Sequence, residues 1–248
     1  RCHLQLLSFG YTNNPRAWVD PILAPFVYAG HTAPMAKQMG YHTMHQVFSR
    51  FRESEPEPKG ELHHTNVFTL VVAVALSAQS TDVGVNRATA ELFKVADTPA
   101  RMLALGEEGL IEHIKTIGLY RGKARNVIKL SRILVEEFAG VVPSSRAALQ
   151  SLPGVGRKTA NVVLNMWFKQ PAQAVDTHIF RIGNRTGIAP GKDVDVVERA
   201  IEDNVPAEFQ QHAHHWLILH GRYICVARKP KCGACIIRDL CQFQENTQ

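Results

Sequence analysis

No run in this 248-residue sequence is long and apolar enough to cross a bilayer. The longest apolar stretch, Val67 to Ala78, is interrupted by Thr69 and Ser77 and falls short of the roughly 20 residues a span needs. Cysteine is scarce and unevenly placed. Cys2 stands alone, and Cys225, Cys232, Cys235 and Cys241 crowd into one short segment, whereas a disulfide framework ties distant parts of a chain together. The four therefore read as a metal site in a reducing compartment. Hairpin signatures such as Asn-Gly between alternating runs are missing, which argues against a β meander. Acidic residues are outnumbered, 22 against 28 Lys and Arg, for a net charge of +6 and a pI of about 9.2. That balance suits a polyanionic partner or, equally, an anionic membrane surface. Residues 1–38 lack a sustained helical or alternating pattern and carry Pro15, Pro21, Pro25 and Pro34, so a poorly ordered N-terminal extension is expected. It does not begin with Met and has no Arg-rich amphipathic pattern of a transit peptide; Met35 and Met39 are alternative starts.

What is present is helical. A hydrophobic content of 45% is enough for a well-buried core. Met44, Val47, Phe48 and Phe51 fall at i, i+3, i+4, i+7; Leu110, Ile111, Ile114 and Ile117 do much the same before Gly118, and Val127, Leu130, Leu134 and Phe138 continue the theme. Val67 to Ala78 is valine-rich, as strands are, but twelve residues favour a buried helix. The expected fold class is all-α.

Two segments carry candidate chemistry. In Ser151-Leu-Pro-Gly-Val-Gly-Arg-Lys-Thr-Ala-Asn161, Pro153, Gly154, Val155 and Gly156 stand between a helix end at Leu149 and Leu152 and a new helix through Val162, Val163 and Met166. Two glycines permit a tight turn with backbone N–H groups exposed beside a helix N-terminus, a geometry that grips a phosphate; an ordinary helix-turn-helix connection fits the same letters. Lys158 sits in the first turn of that helix, where the dipole disfavours a cation, and a neutral amine is a nucleophile. Eighteen residues on, Asp176 in Ala174-Val-Asp-Thr-His-Ile-Phe-Arg181 precedes a helical pattern through Ile179, Phe180 and Ile182. It reads as an N-cap, and a carboxylate fixed there is also placed to stabilise a developing sugar cation or assist proton transfer.

The spacing Cys225-x6-Cys232-x2-Cys235-x5-Cys241 supplies four thiolates to one centre, and zinc or a [4Fe–4S] cluster fits the chemistry equally. The loop between the first two cysteines holds Arg228, Lys229 and Lys231; pinned by metal ligands at both ends, it becomes a rigid phosphate-contacting finger. His212, His214, His215 and His220 surround Trp216-Leu-Ile-Leu, where packed or hydrogen-bonded histidines are expected ahead of a second metal site.

Together, Leu-Pro-Gly-Val-Gly-Arg-Lys-Thr-Ala-Asn, Val-Asp-Thr-His-Ile-Phe-Arg, His-Trp-Leu-Ile-Leu-His-Gly-Arg and the 6-2-5 cysteine spacing closely resemble the endonuclease III family of helix-hairpin-helix DNA glycosylases, over about Met39 to Cys241. The resemblance implies a [4Fe–4S] cluster on the four cysteines. It also implies two helical domains with the active site in the cleft between them: a six-helix domain at 60–170, and a cluster domain made of 39–59 and 171–248. It makes Lys158 the nucleophile that attacks C1′ of a flipped damaged nucleotide, with Asp176 assisting, in a bifunctional enzyme that removes oxidised pyrimidines and cleaves the abasic strand. The hairpin would lie on the phosphate backbone. Gln79 and Leu119 would enter the gap left by the flipped base, although pattern alone makes Gln79 a helix-end turn and Leu119 a core residue after Gly118. The implied partner is double-stranded DNA with a damaged pyrimidine or abasic site, with no membrane, a monomeric enzyme and a bacterial cytoplasmic, nucleoid location. Ser80 stands where the family usually has alanine, and residues 1–38 have no bacterial counterpart.

Two other readings compete. A monofunctional adenine or mismatch glycosylase would lack the lysine, and adenine-specific relatives add a further C-terminal domain. A non-catalytic DNA-binding module would not need both Lys158 and Asp176.

Overall fold

A computed structural model describes residues 36–243; residues 1–35, which hold most of the expected extension, and 244–248 lie outside the described residues. The extension's last residues are already tied to the body. Lys37 N donates to Gln242 Oε1 at 2.9 Å, Gln242 Nε2 donates back to Lys37 O at 2.7 Å, and Gln38 Nε2 donates to Ile188 O at 2.8 Å.

The described residues form α-helices and short 3-10 turns with no strand, as the periodicity predicts. α1 (Tyr41–Ser54) buries Met44, Val47, Phe48 and Phe51, the four positions picked out by spacing. α2 (Val67–Ser77) is the valine-rich run. It buries residues on nearly every side, so its hydrophobicity is that of a core helix rather than of a strand. Its start is fixed by a capping box, with Asn66 Oδ1 accepting from Thr69 N and Thr69 Oγ1 accepting from Asn66 N. α3 (Asp82–Val95), α4 (Pro99–Ile114) and α5 (Tyr120–Phe138) complete a layer around α2 with α6 (Arg146–Gln150) and α7 (Arg157–Met166). α4 is broken at Gly106, where φ is 73°. It also stops short of the expected Ile117, which is buried in a turn whose N–H donates to Ile114 O at 2.9 Å.

One apolar core runs from Phe68 to Ala174 through these helices. A second joins α1 to α8 (Thr177–Thr186), α9 (Val194–Asn204) and α10 (Gln210–Tyr223), and ends at Ile237. At its centre Phe48 stacks on Phe209 at 5.9 Å and lies 6.2 Å from Trp216, whose indole N–H donates to Glu55 O at 2.8 Å. α8 and α10 approach closely because Gly221 faces His178: a Cβ there would lie 2.9 Å from that residue's own Cβ.

The link between α7 and α8 has no regular structure, and Ala172–Val175 are buried. Buried amides meet two of its carbonyls and tie it to the start of α10. Asn161 Nδ2 donates to Gln173 O at 2.8 Å, Asn165 Nδ2 to Ala172 O at 3.2 Å and to Gln211 O at 3.1 Å, and Gln173 Nε2 to Gln210 O at 3.0 Å.

His214, His215 and His220 are buried in α10, the packed role expected for them. Burial, helped by the charges of His212 and Lys169, lowers His215 from 6.5 to about 4. The folded protein therefore holds this ring neutral where the unfolded chain protonates it, and stability is lost as pH falls from 6.5 to 4. The shift corresponds to about 3 kcal/mol at the acid end. We expect urea midpoints to decline across that window, and to decline less steeply in His215→Leu; an identical slope in the variant would remove His215 from the account.

Candidate active site

The turn ahead of α7 is built as its glycines suggest. Gly154 has φ +81° and packs so closely on α5 that a Cβ would lie 3.1 Å from Asn126 Cβ. Val155 N donates to Leu152 O at 3.0 Å, closing the turn, and the Val155 side chain is buried in the first core. Gly156 is the N-cap and supplies no side-chain cap. The N–H groups of Gly156, Arg157 and Lys158 consequently have no acceptor among the described residues, which leaves them for an anion. No acidic residue sits in this first turn; instead Arg157 and Lys158 put two cations against the helix dipole.

The two cations point to different ends. Arg157 clasps the buried carboxylate of Glu198 on α9, Nε to Oε2 at 2.9 Å and Nη2 to Oε1 at 2.8 Å. Lys158 stays exposed and lines a cavity of about 150 Å³ between the two cores. α2 and the turn that follows it contribute Ser77 and Ser80, α3 contributes Asp82, and α10 contributes His214 and Arg222. Arg222 Nη1 donates to Asp82 Oδ2 at 2.6 Å and also to Glu61. His214 is driven well below its usual range by burial, with the charges of His215 and Lys158 adding to the effect, and its Nδ1 has no partner among the described residues.

Asp176 is the N-cap of α8, as its position in the sequence suggested. Its Oδ1 accepts from His178 N and Ile179 N, both at 2.9 Å, and Oδ2 has no hydrogen-bond partner among the described residues. Asp176 does not line the Lys158 cavity; it stands at the end of the amide-braced link that leads from α7.

A second cavity, of about 520 Å³, brings together Gln79, Leu119 and Gly154. Gln79 and Leu119 both hold left-handed backbones, with φ of 55° and 60°. Leu119 is 65% exposed, so the core position that pattern alone gives it is corrected: Gly118 ends the preceding turn and the left-handed residue after it turns its side chain outward. Lys123 is what sequence reasoning missed here, because a lysine in an amphipathic helix reads as surface. It is buried, its ammonium donates to Leu76 O and Ser80 Oγ at 2.9 Å each, and burial lowers its pKa. It thereby ties the end of α2, and the Gln79 turn, to the start of α5.

The cysteines lie apart from both cavities, in the loops after α10. Cys225, Cys235 and Cys241 are near enough for each thiolate to disfavour the next, and burial first, then that repulsion, pushes Cys235 and Cys241 up. Hydrogen-bond donors face two of the sulfurs: Arg185 Nη1 lies 3.7 Å from Cys225 Sγ, and Phe243 N donates to Cys241 Sγ at 3.4 Å. Among the described residues no three His, Cys, Asp or Glu side chains close around a single-ion point, which a cluster of several irons does not require. Four half-buried thiols that need a compensating cation, with donors aimed at them, fit an iron–sulfur cluster. Arg185 also donates to Val226 O and Ala227 O at 2.8 Å each, fixing the loop on which Arg228, Lys229 and Lys231 stand exposed.

The clasp on Glu198 has a measurable consequence. Arg157 is 42% exposed but its partner only 5%, so Arg157→Ala leaves a buried carboxylate with only the looser approach of Arg146 at 3.9 Å. We expect a loss of about 2 kcal/mol, below the range for fully buried pairs because solvent reaches the arginine. Adding Glu198→Leu should recover most of it, and a double variant no more stable than the single one would show that the pair is not the cause.

Residues 72–207 match the family described as the HhH-GPD superfamily of base excision DNA repair proteins, and residues 225–241 match the iron–sulfur binding domain of endonuclease III. Endonuclease III of Escherichia coli strain K12 is 60% identical over 200 residues, covering 81% of this chain and 95% of that protein. The Haemophilus influenzae enzyme is 56% identical over 203 residues, covering 82% and 96%. A solved structure of a trapped endonuclease III–DNA covalent intermediate superposes with a TM-score of 0.77 at 41% identity, over 83% of this chain and 97% of that one. A thermostable thymine-DNA glycosylase shares the fold, with a TM-score of 0.71 at 23% identity. The chain belongs to the endonuclease III family of base-excision repair enzymes, DNA glycosylases and abasic-site lyases that carry a [4Fe–4S] cluster.

Proposed function

We propose that Lys158 is the nucleophile and Asp176 its assistant in excising oxidised pyrimidines such as thymine glycol from duplex DNA. The observation that carries this is the placement of Lys158: an exposed amine on an uncapped, acid-free helix start, at the edge of a cavity between the two cores that also holds Asp82, His214 and Arg222. Its N–H neighbours offer an anion site one residue away, so a phosphate bound there presents the adjoining sugar to the amine.

The amine attacks C1′ of the flipped nucleotide, and the bond from C1′ to the base breaks as the base leaves with a proton. The ring opens to a protonated Schiff base on Lys158. Loss of a proton from C2′ then expels the 3′ phosphate, breaking the strand, and water releases the lysine. Asp176 Oδ2, held by the cap that occupies Oδ1, is the carboxylate available to stabilise positive charge on the sugar and to move a proton. Gln79 and Leu119, projected by left-handed backbones beside one cavity, fill the space the flipped base leaves. Pro153, Gly154, Val155 and Gly156 hold the backbone phosphate; Val155 acts by closing the turn, since its side chain is buried and its N–H is already bonded. Cys225, Cys232, Cys235 and Cys241 hold the cluster, which when bound supplies a rigid cross-link for the Arg228, Lys229 and Lys231 finger. The bipartite architecture follows the two cores: 60–170 as the six-helix domain, 39–59 with 171–248 as the cluster domain. We further propose that the enzyme works as a monomer on DNA in the bacterial nucleoid; among the described residues no helix is long and apolar enough to cross a membrane.

With a duplex holding one thymine glycol or one abasic site, borohydride should trap a covalent protein–DNA band in the wild type and none in Lys158→Gln. A band of equal strength in the variant would place the nucleophile elsewhere. Asp176 separates two roles: Asp176→Asn keeps an oxygen for the cap and should keep the stability, whereas Asp176→Ala should lose about 1 kcal/mol. Both should slow strand cleavage by about a hundredfold or more; near-normal cleavage by Asp176→Asn would make the residue a cap alone.

A further inference from the structure

α5 carries a cationic stripe that the chemistry above does not use. Arg121, Arg125, Lys129 and Arg132 recur at i, i+4, i+8 and i+11, which is one face of a helix, and all four are exposed. Among the described residues no carboxylate pairs with Arg121, Lys129 or Arg132, and Arg125 has only a loose approach to Glu107 at 3.9 Å. The stripe starts beside Gln79 and Leu119, the wedge proposed to enter the DNA. Arg121 lines the same cavity as Gln79, Leu119 and Gly154, and its guanidinium stacks 4.9 Å from the Tyr120 ring. Arg125 follows one turn on. Lys129 and Arg132 lie about 12 and 16 Å further along the axis than Arg121.

An exposed, unpaired arginine that stands in the first turn of its helix is placed against the local dipole, so its own helix does not account for it. Continuity with the wedge does. We propose that Arg121 and Arg125 are DNA contacts that take phosphates of the duplex flanking the gap, extending the footprint from the wedge onto the first two turns of α5. Arg121 is pre-ordered for this by its stack on Tyr120, which lowers the cost of fixing a long side chain against a phosphate. Lys129 and Arg132 stand beyond the contact. The inference rests on the reading of Gln79 and Leu119 as the residues that enter the DNA.

The test compares two charge-matched double variants, Arg121→Ala/Arg125→Ala and Lys129→Ala/Arg132→Ala, on a duplex of about 25 base pairs holding an uncleavable tetrahydrofuran abasic analogue. Affinity is measured by anisotropy across a series of salt concentrations. Each lost phosphate contact lowers the slope of log affinity against log salt by about 0.9. The first variant should therefore lose about two from the slope and bind about tenfold more weakly at low salt, and Arg121→Lys/Arg125→Lys should restore the slope. The second variant should match the wild type in slope, and in the rate at which saturating enzyme cleaves a natural abasic duplex. Equal losses in the two variants would mean a general field effect, and no loss in either would mean no contact; both overturn the proposal. Wild-type protein that fails to cleave abasic DNA would instead overturn the functional reading on which it rests.

Discussion

Between α7 and α8 the chain passes from one core to the other through buried, irregular backbone, and buried carbonyls must find donors. Asn161 and Asn165, both side chains of α7 itself, provide them to Gln173 and Ala172, and the link's own Gln173 amide donates on to Gln210 O at the start of α10. The helix that presents Lys158 thus holds the strand of chain that delivers Asp176. Neither residue is positioned by a flexible loop. The separation between amine and carboxylate is set by a ladder of neutral hydrogen bonds, each worth about 1 kcal/mol on its own and costly to leave unmade. The clasp of Arg157 on Glu198 adds a second tie across the same boundary, from the residue next to Lys158 to a helix of the other core.

α2, α3, α4, α6, α8 and α9 begin with Asn, Thr, Ser or Asp side chains that accept from the first turn. Four of the ten α-helices among the described residues, α1, α5, α7 and α10, start without a side-chain cap, and of these only α5 and α7 place Lys or Arg in the first turn. Capping is worth about 1 kcal/mol to a helix, so its omission at the two starts that meet around Gly154 is a local sacrifice of stability. Those starts are also where the side chains with proposed roles in DNA handling converge.

Much of this was legible beforehand, for reasons that differ between residues. Met44, Val47, Phe48 and Phe51 betray α1 because burial on one face imposes a 3.6-residue period. The Val67–Ser77 helix could be told from a strand by length alone. Pro-Gly-x-Gly announces a turn because few other residues adopt its backbone angles, and Asp176 ahead of Ile179 reads as the cap that it is. Periodicity failed where burial continued after the helix had stopped, as at Ile117, and where a side chain left the pattern through a positive φ, as at Leu119. Lys123 was invisible for another reason: its burial depends on carbonyls at the end of α2, 47 residues away in the chain, and no local pattern encodes that. The cavity partners Glu61, Asp82, His214 and Arg222 come from distant segments and share the same obscurity.

The second core has an implication for how the protein is made. Its first helix, α1, is among the earliest described segments to leave the ribosome, yet its apolar face packs against α8, α9 and α10 near the opposite end of the chain. The helices from α2 to α7 find their partners among themselves and so form the lower-contact-order unit. During synthesis α1 must wait with Phe48 and Phe51 uncovered while that unit folds beside it, a period in which a holdase has something to bind. The half of the molecule that carries the cysteines closes last, so cluster insertion falls at the end of biogenesis rather than at its start.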